Sequence, residues 1–170
     1  MPASGKSTVG VVLAKNSGRR FLDGDLLIQE QTGKLLSELI SLYGDDGFRR
    51  IEERVNAGIE AENTVIAPGG SVIYGERAMR HLKELGWVVY LKLSYPAVSR
   101  RLGNLKDRGV SIKPGQTLRQ LYNERVQLYE KYADLVVDET GLSTRKVVAA
   151  VLAAVGEAEQ NMSGHAAGED

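Results

Sequence analysis

Cysteine is absent from the 170 residues, and histidine occurs only twice, as His81 and His165. The first absence excludes a disulfide scaffold and a thiolate zinc site. The second makes a histidine metal pair a poor candidate, since one lies in a charged helical stretch and the other in a polar tail. Net charge is missing too: 22 lysines and arginines balance 22 aspartates and glutamates. Neither a nucleic acid nor an acidic membrane is therefore expected as the main partner. No apolar run approaches the roughly 18 residues of a membrane span, and the first residues lack the apolar core of a signal peptide. A soluble, cytoplasmic protein acting as a monomer is expected. Its length suits a single domain that buries roughly 70% of its unfolded surface.

One further thing is missing, and it lies beside the most informative stretch. Gly5-Lys6-Ser7-Thr8 matches the end of the phosphate-binding pattern G-x-x-x-x-G-K-[ST], and helical spacing follows in Val9, Val12 and Leu13. In such a loop, backbone N–H groups and the positive end of the following helix face phosphate oxygens. Lys6 would reach the β- and γ-phosphates of ATP, and the Ser7 hydroxyl would hold Mg²⁺. The first glycine of the pattern would fall one place before Met1, and no residues are present for the strand that normally leads into the loop. Met1 is accordingly expected to be internal to the loop, with the natural start roughly eight to ten residues earlier. Without that strand the chain is expected to be poorly stable and to bind ATP weakly.

Taken in order, Lys6 to Lys15 is helical and Arg20-Phe21-Leu22 is extended, ending in Asp23-Gly24-Asp25. Two helical patterns between Leu26 and Tyr43 meet near Thr32-Gly33. A longer helix starts at about Asp46, with Phe48, Ile51, Val55 and Ile59 on one stripe. Thr64 to Ala67 is a short strand broken by Pro68-Gly69-Gly70. Glu76 to Leu85 is an amphipathic helix stopped by Gly86. Trp87 to Leu93 is a strand covered on both faces. Helices Pro96 to Leu102 and Thr117 to Tyr132 flank a polar run at about 105–116 that reads as a mobile loop. Leu135-Val136-Val137 is a strand, and Thr144 to Val155 is a final helix. Residues 1–156 form one domain, and 157–170 are expected to be a disordered tail. The alternation predicts an α/β fold: a P-loop NTPase-like parallel sheet with helices on both faces, its first, central strand missing. Ligands then bind beyond the carboxyl ends of the strands, where Asp23, Asp25, Pro68-Gly69-Gly70 and the phosphate loop should share one rim.

Several residues on that rim have competing readings. Asp23 and Asp25 alternate, so on an extended strand end one could face a metal and the other a second ligand; both could equally be Asx-turn or N-cap residues. Arg49 and Glu52 are neighbours on one helix face and could form an ordinary surface ion pair. Arg125 falls on the stripe Leu118, Leu121, Tyr129 and Tyr132, where a cation must snorkel, pair or line a cleft.

The motifs Gly5-Lys6-Ser7-Thr8, Phe21-Leu22-Asp23-Gly24-Asp25, Gly47-Phe48-Arg49-Arg50-Ile51-Glu52, Pro68-Gly69-Gly70 and Arg125-Val126-Gln127-Leu128-Tyr129 occur in an order that resembles the shikimate kinases. The resemblance runs from Gly5 to the last helix. It implies transfer of the γ-phosphoryl group of ATP to a hydroxyl of shikimate, giving shikimate 3-phosphate. By the same resemblance, Gly5, Lys6, Ser7 and Thr8 bind the nucleotide, and Arg101 flanks the adenine. Ser7 and Asp23 support Mg²⁺, and Asp25 orients or deprotonates the accepting hydroxyl. Arg49 and Arg125 hold the substrate carboxylate, Glu52 holds the Arg49 guanidinium, and Gly69 and Gly70 let backbone approach the substrate. Arg108, with Lys113 second, would be the lid cation.

The chain departs from the family where substrate is gripped. Arg108-Gly109-Val110 replaces the usual Arg-Pro-Leu, Ser71 replaces a third glycine, and Gln127 replaces a proline. Two other readings stay open at this point: a related kinase for another hydroxylated metabolite such as gluconate, and a nucleotide-binding module without transfer activity.

Overall fold

A computed structural model describes residues 4–102 and 115–166, with side chains through 163. Helix α1 (Lys6–Ser17) is bracketed by two glycines in the left-handed region, Gly5 at φ 70° and Gly18 at φ 67°. A side chain is strained there, so glycine suits both ends. Strand β1 (Arg20–Asp23) runs parallel to β2 (Thr64–Ala67), with Arg20 opposite Thr64 and Asp23 opposite Ala67. Between them lie α2 (Gly24–Thr32) and α3 (Leu36–Asn56), and Gly44 interrupts α3 with a non-helical backbone. That break accounts for two helical patterns that change over near Asp46.

After β2 come a 3₁₀ turn (Val72–Tyr74), α4 (Glu76–Leu85), β3 (Val89–Lys92), α5 (Tyr95–Leu102), α6 (Leu118–Tyr132), β4 (Leu135–Asp138) and α7 (Thr144–Ala166). Strands β3 and β4 are parallel, Val89 opposite Leu135 and Lys92 opposite Asp138. β3 is shorter than its apolar run because β4 offers only four partners. Just before it, the Val88 carbonyl accepts from the N–H groups of Asp134 and Leu135, and the Val88 N–H donates to the Asp134 carboxylate. The run is also less covered than a doubly buried strand: Tyr90 is buried, whereas Trp87 is exposed.

Parallel strands alternating with helices give the expected α/β class. The sheet, however, is in two halves. Among the described residues β1 pairs only with β2 and β3 only with β4, and no strand leads into α1. A cavity of about 860 Å³ lies between the halves, lined by all four residues of β2 and by Val89, Tyr90 and Leu91 of β3. The core is correspondingly divided. One cluster joins Val9 of α1 to Val137 of β4 and Val147, Val148 and Val151 of α7. Another gathers Ile59, Val72, Ile73, Ala78, Met79 and Leu82 around the 3₁₀ turn and α4.

Helix α7 corrects the expectation of disorder from residue 157, since residues 157–166 continue the helix. Glu157, Ala158, Glu159, Gln160 and Met162 are good helix formers, and the glycines of the helix, Gly156 and Gly164, cost only about 1 kcal/mol each. Scarcity of apolar residues removes burial, not helix propensity. The lid expected at 105–116 falls largely outside the described residues, and with it both of its candidate cations, Arg108 and Lys113. Among the described residues no helix is long and apolar enough to cross a membrane.

Candidate functional site

The phosphate-loop residues stand at the first turn of α1. Gly5 caps the helix and its carbonyl accepts the Val9 N–H at 2.8 Å. Ser7 and Thr8 are exposed on the first turn. Ser7 Oγ donates to Asp23 Oδ2 at 2.6 Å, joining the start of α1 to the end of β1. Lys6 is held differently. Burial pushes its ammonium pKa down, and the carboxylates of Asp25 and Asp23 oppose that shift. Arg125 and Glu52 also act on it, so charges from α2, α3, α6 and β1 converge on this lysine.

The N-cap reading of Asp23 holds. It caps α2, its Oδ1 accepting from the Asp25 and Leu26 N–H groups at 3.0 and 3.4 Å, while Oδ2 takes the Ser7 hydroxyl. Asp25 differs from the expectation of alternating positions on a strand end, because it is the second residue of α2. The helix begins at Gly24 once Asp23 satisfies its first N–H groups. Burial raises the Asp25 carboxyl pKa, the neighbouring Asp23 raises it further, and Lys6 opposes both.

Gly69 sits where Asp25 and Glu52 meet. A Cβ built on it would collide with Glu52 Oε1 and lie 2.9 Å from Asp25 Oδ1. Glycine at 69 is thus required by close approach of two carboxylates. Gly70 is fixed from the other side: Tyr129 of α6 donates its hydroxyl to the Gly70 carbonyl at 2.6 Å. A Cβ at Gly70 would lie 3.7 Å from Arg125 Nη1.

Glu52 is 1% exposed. Burial lifts its carboxyl to about 7, against the Ser71 hydroxyl, which donates to Oε2 and pulls the other way. The expected Arg49–Glu52 pair is not formed. Residues three apart on an α-helix are offset by about 60° around its axis. That offset sends Glu52 inward to Ser71, while Arg49 leans over the Tyr74 ring, its Cζ 4.1 Å from the centroid. Arg49 also lies 3.9 Å from the exposed Asp46. Arg125 is 3% exposed, and its Nε is buried without a hydrogen-bonding partner among the described residues. Burial rules out snorkelling for Arg125, whose guanidinium hydrogen-bonds with the Tyr74 and Tyr129 side chains.

Arg101, expected to flank the adenine, donates from Nη1 to Glu139 Oε1 at 2.9 Å. Glu139 is buried, and burial raises its pKa against the pull of Arg101. Among the described residues no group of three or more His, Cys, Asp or Glu could hold a metal by itself. The Ser7 and Asp23 oxygens form a hard pair that would need phosphate or water to complete a shell. Sequence reasoning missed Tyr74, Tyr129 and Glu139. Tyr129 was visible as part of an apolar stripe and of the Arg125 motif but without a role of its own, and Tyr74 and Glu139 carry no local signal, because each acts on a residue from a distant element.

Comparison with known proteins agrees with this arrangement. A family model described as Shikimate kinase matches residues 2–156. The chain is 34% identical over 152 residues to the shikimate kinase of Thermodesulfovibrio yellowstonii, covering 88% of this chain and 87% of that one. Its structure resembles the shikimate kinase of Acinetobacter baumannii in complex with shikimate, with a TM-score of 0.78 and 31% identity over 89% of this chain and 86% of that one. It also resembles the Aquifex aeolicus enzyme, with a TM-score of 0.79 and 29% identity over 91% of each chain. A match of this extent, over a rim that joins α1 to Asp25, Gly69 and Arg125, means that the chain belongs to the shikimate kinase family.

Proposed function

We propose that this chain transfers the γ-phosphoryl group of ATP to a hydroxyl of shikimate. The observation that carries the reading is Arg125: a buried cation with an unpartnered Nε, near enough to Lys6 for its charge to depress the lysine. A buried guanidinium that keeps one unpartnered nitrogen is costly unless a ligand completes it. The acceptor carboxylate is that ligand. Arg49 is the second arginine, and the planar guanidinium matches a carboxylate bidentately.

In the transfer, the acceptor oxygen attacks the γ-phosphorus, the new O–P bond forms, and the bond to the β,γ-bridging oxygen breaks. ADP leaves with the bridging electron pair, and the hydroxyl proton passes to the Asp25 carboxylate. Burial and Asp23 raise the Asp25 pKa, which makes it a better proton acceptor than an exposed aspartate. Lys6 steadies the charge on the phosphates. Ser7 and Asp23 are the residues that would hold Mg²⁺, which when bound neutralises phosphate charge. Gly69 and Gly70 let the acceptor lie against bare backbone. Residues 1–156 act as the kinase domain.

The test is ADP release from ATP and Mg²⁺ with shikimate, with gluconate, or with no acceptor. Shikimate-dependent ADP release is expected. Release no faster with shikimate than without it overturns the reading. Stimulation by gluconate alone points to the related kinase, and ATP binding without any turnover points to a non-catalytic module.

A further inference from the structure

The two arginines assigned to the carboxylate have little anionic support of their own. Arg49 has an ion pair only at 3.9 Å, to an aspartate that is 86% exposed. Arg125 forms no ion pair among the described residues, and its Nε is unpartnered. What they share is an aromatic ring. Tyr74, at the end of the 3₁₀ turn, has Arg49 Cζ 4.1 Å from its ring centroid and Arg125 Cζ 5.6 Å from it. The ring is itself anchored. Its hydroxyl donates to Glu124 Oε1 at 2.6 Å, and Gln116 Nε2 donates to Glu124 Oε2 at 2.8 Å.

The choice of an aromatic residue here has a physical consequence. A carboxylate between two guanidiniums would neutralise them and occupy the same N–H edges that a substrate needs. The face of a ring attracts a cation through its quadrupole and accepts none of its donors in the ring plane. The Tyr74 face therefore leaves the donor edge of Arg49 free, while Arg125 is held beside the ring and by hydrogen bonding with the Tyr74 and Tyr129 side chains, its Nε alone remaining unpartnered.

We propose that Tyr74 is a positioning residue for the acceptor carboxylate: its side chain, held by Glu124, keeps Arg49 and Arg125 together with the Arg49 donor edge and Arg125 Nε available. Tyr74 does not touch the reacting atoms and acts only through the two arginines. The proposal rests on the reading that these arginines bind the acceptor's carboxylate. It also explains why Glu52 can be spent on Ser71: the support for Arg49 comes from the ring.

The test is steady-state kinetics of Tyr74→Leu and Tyr74→Phe, with shikimate and with its primary amide as acceptors. Tyr74→Leu should raise the KM for shikimate about tenfold. The KM for ATP should stay unchanged and kcat should stay within about twofold. Tyr74→Phe keeps the ring but loses the hydroxyl's hydrogen bonds to Glu124 and Arg125, so it should recover only part of the loss. The amide lacks the negative charge, so its KM should respond little. A merely structural role would weaken acid and amide alike, and that result overturns the proposal, as does an unchanged KM for shikimate. If Tyr74→Leu fails to fold, phenylalanines of increasing fluorination at position 74 decide the matter at nearly constant size. Shikimate KM rising with each fluorine supports the ring contact, and a flat series overturns it. Arg49→Ala separates the two layers. A shikimate KM unaffected by Arg49→Ala defeats the carboxylate reading itself, whereas an affected KM with a flat Tyr74 series defeats this inference alone.

Discussion

Asp25 and Glu52 face one glycine and are tuned in the same direction for different ends. Asp25 retains an opposing lysine, so it can still ionise and take a proton. Asp25→Asn should lower kcat by ~10²-fold or more with ATP affinity nearly intact. Because Asp23 and not Asp25 caps α2, an asparagine at 25 leaves the helix start in place. Full activity in the variant would remove Asp25 from the chemistry. Glu52 makes a pH prediction. Its folded pKa of about 7 lies above the ordinary 4.5, with burial the main cause. The folded state therefore keeps a proton that the unfolded chain releases, and stability is lost as pH rises from about 4.5 to about 7, then levels off. The loss is on the order of 3 kcal/mol. Denaturant unfolding at pH 5 and pH 8 should show this fall in the parent protein and a smaller one in Glu52→Gln. Equal pH dependence in both would refute the assignment.

At the scale of elements, the turn from Gly69 to Tyr74 connects the others. It sets bare backbone against Asp25 of α2 and Glu52 of α3, takes a hydroxyl from Tyr129 of α6, and ends in the ring under two arginines. Gly69→Ala would force a methyl onto both carboxylates. Those side chains can swing away, so the fold should survive with a modest loss of stability, while kcat falls ~10²-fold through displaced Asp25. Thermal unfolding and turnover on the same preparation check this; an active Gly69→Ala would mean the carboxylates stand further from the backbone. The opposite end of α6 shows local logic. Thr117 Oγ1 accepts the Gln120 N–H at 3.2 Å and Gln120 Oε1 accepts the Thr117 N–H at 2.8 Å, a reciprocal cap that starts the helix carrying Arg125.

At the scale of the molecule, the rim is assembled although the sheet is divided. Each of β2 and β3 has one edge in its own pair and one facing the cavity between the halves. Backbone groups on a paired edge are satisfied, and those on an open edge are not. Hydrogen exchange should therefore alternate along β2 and β3, with amides directed at β1 or β4 protected and their neighbours exchanging faster. Uniform protection along both strands would mean that the halves are joined in solution.

How much of this was legible in the amino-acid order depends on range. Gly33, where two helical patterns meet, marks a helix end because left-handed φ is a local requirement. Thr64 to Ala67 is a strand as read, and Lys6, Ser7, Asp23 and Asp25 meet because strand-to-helix connections of a parallel sheet fall on one rim. Helical spacing placed Arg49 and Glu52 near each other but could not say that one turns to Tyr74 and the other to Ser71. Those choices depend on which elements α3 packs against. The unpartnered Nε of Arg125, the pKa of Glu52 and the Tyr74 ring under both arginines likewise exist only after α3, α6 and the 3₁₀ turn are docked. Local periodicity and backbone preference act over a few residues, so the sequence by itself determined the elements and their chemistry. Burial and pairing act between residues far apart in the chain, as in Glu52 with Ser71 and Arg49 with Arg125, so only the tertiary structure decided which charges share a ring, a carboxylate or a cavity.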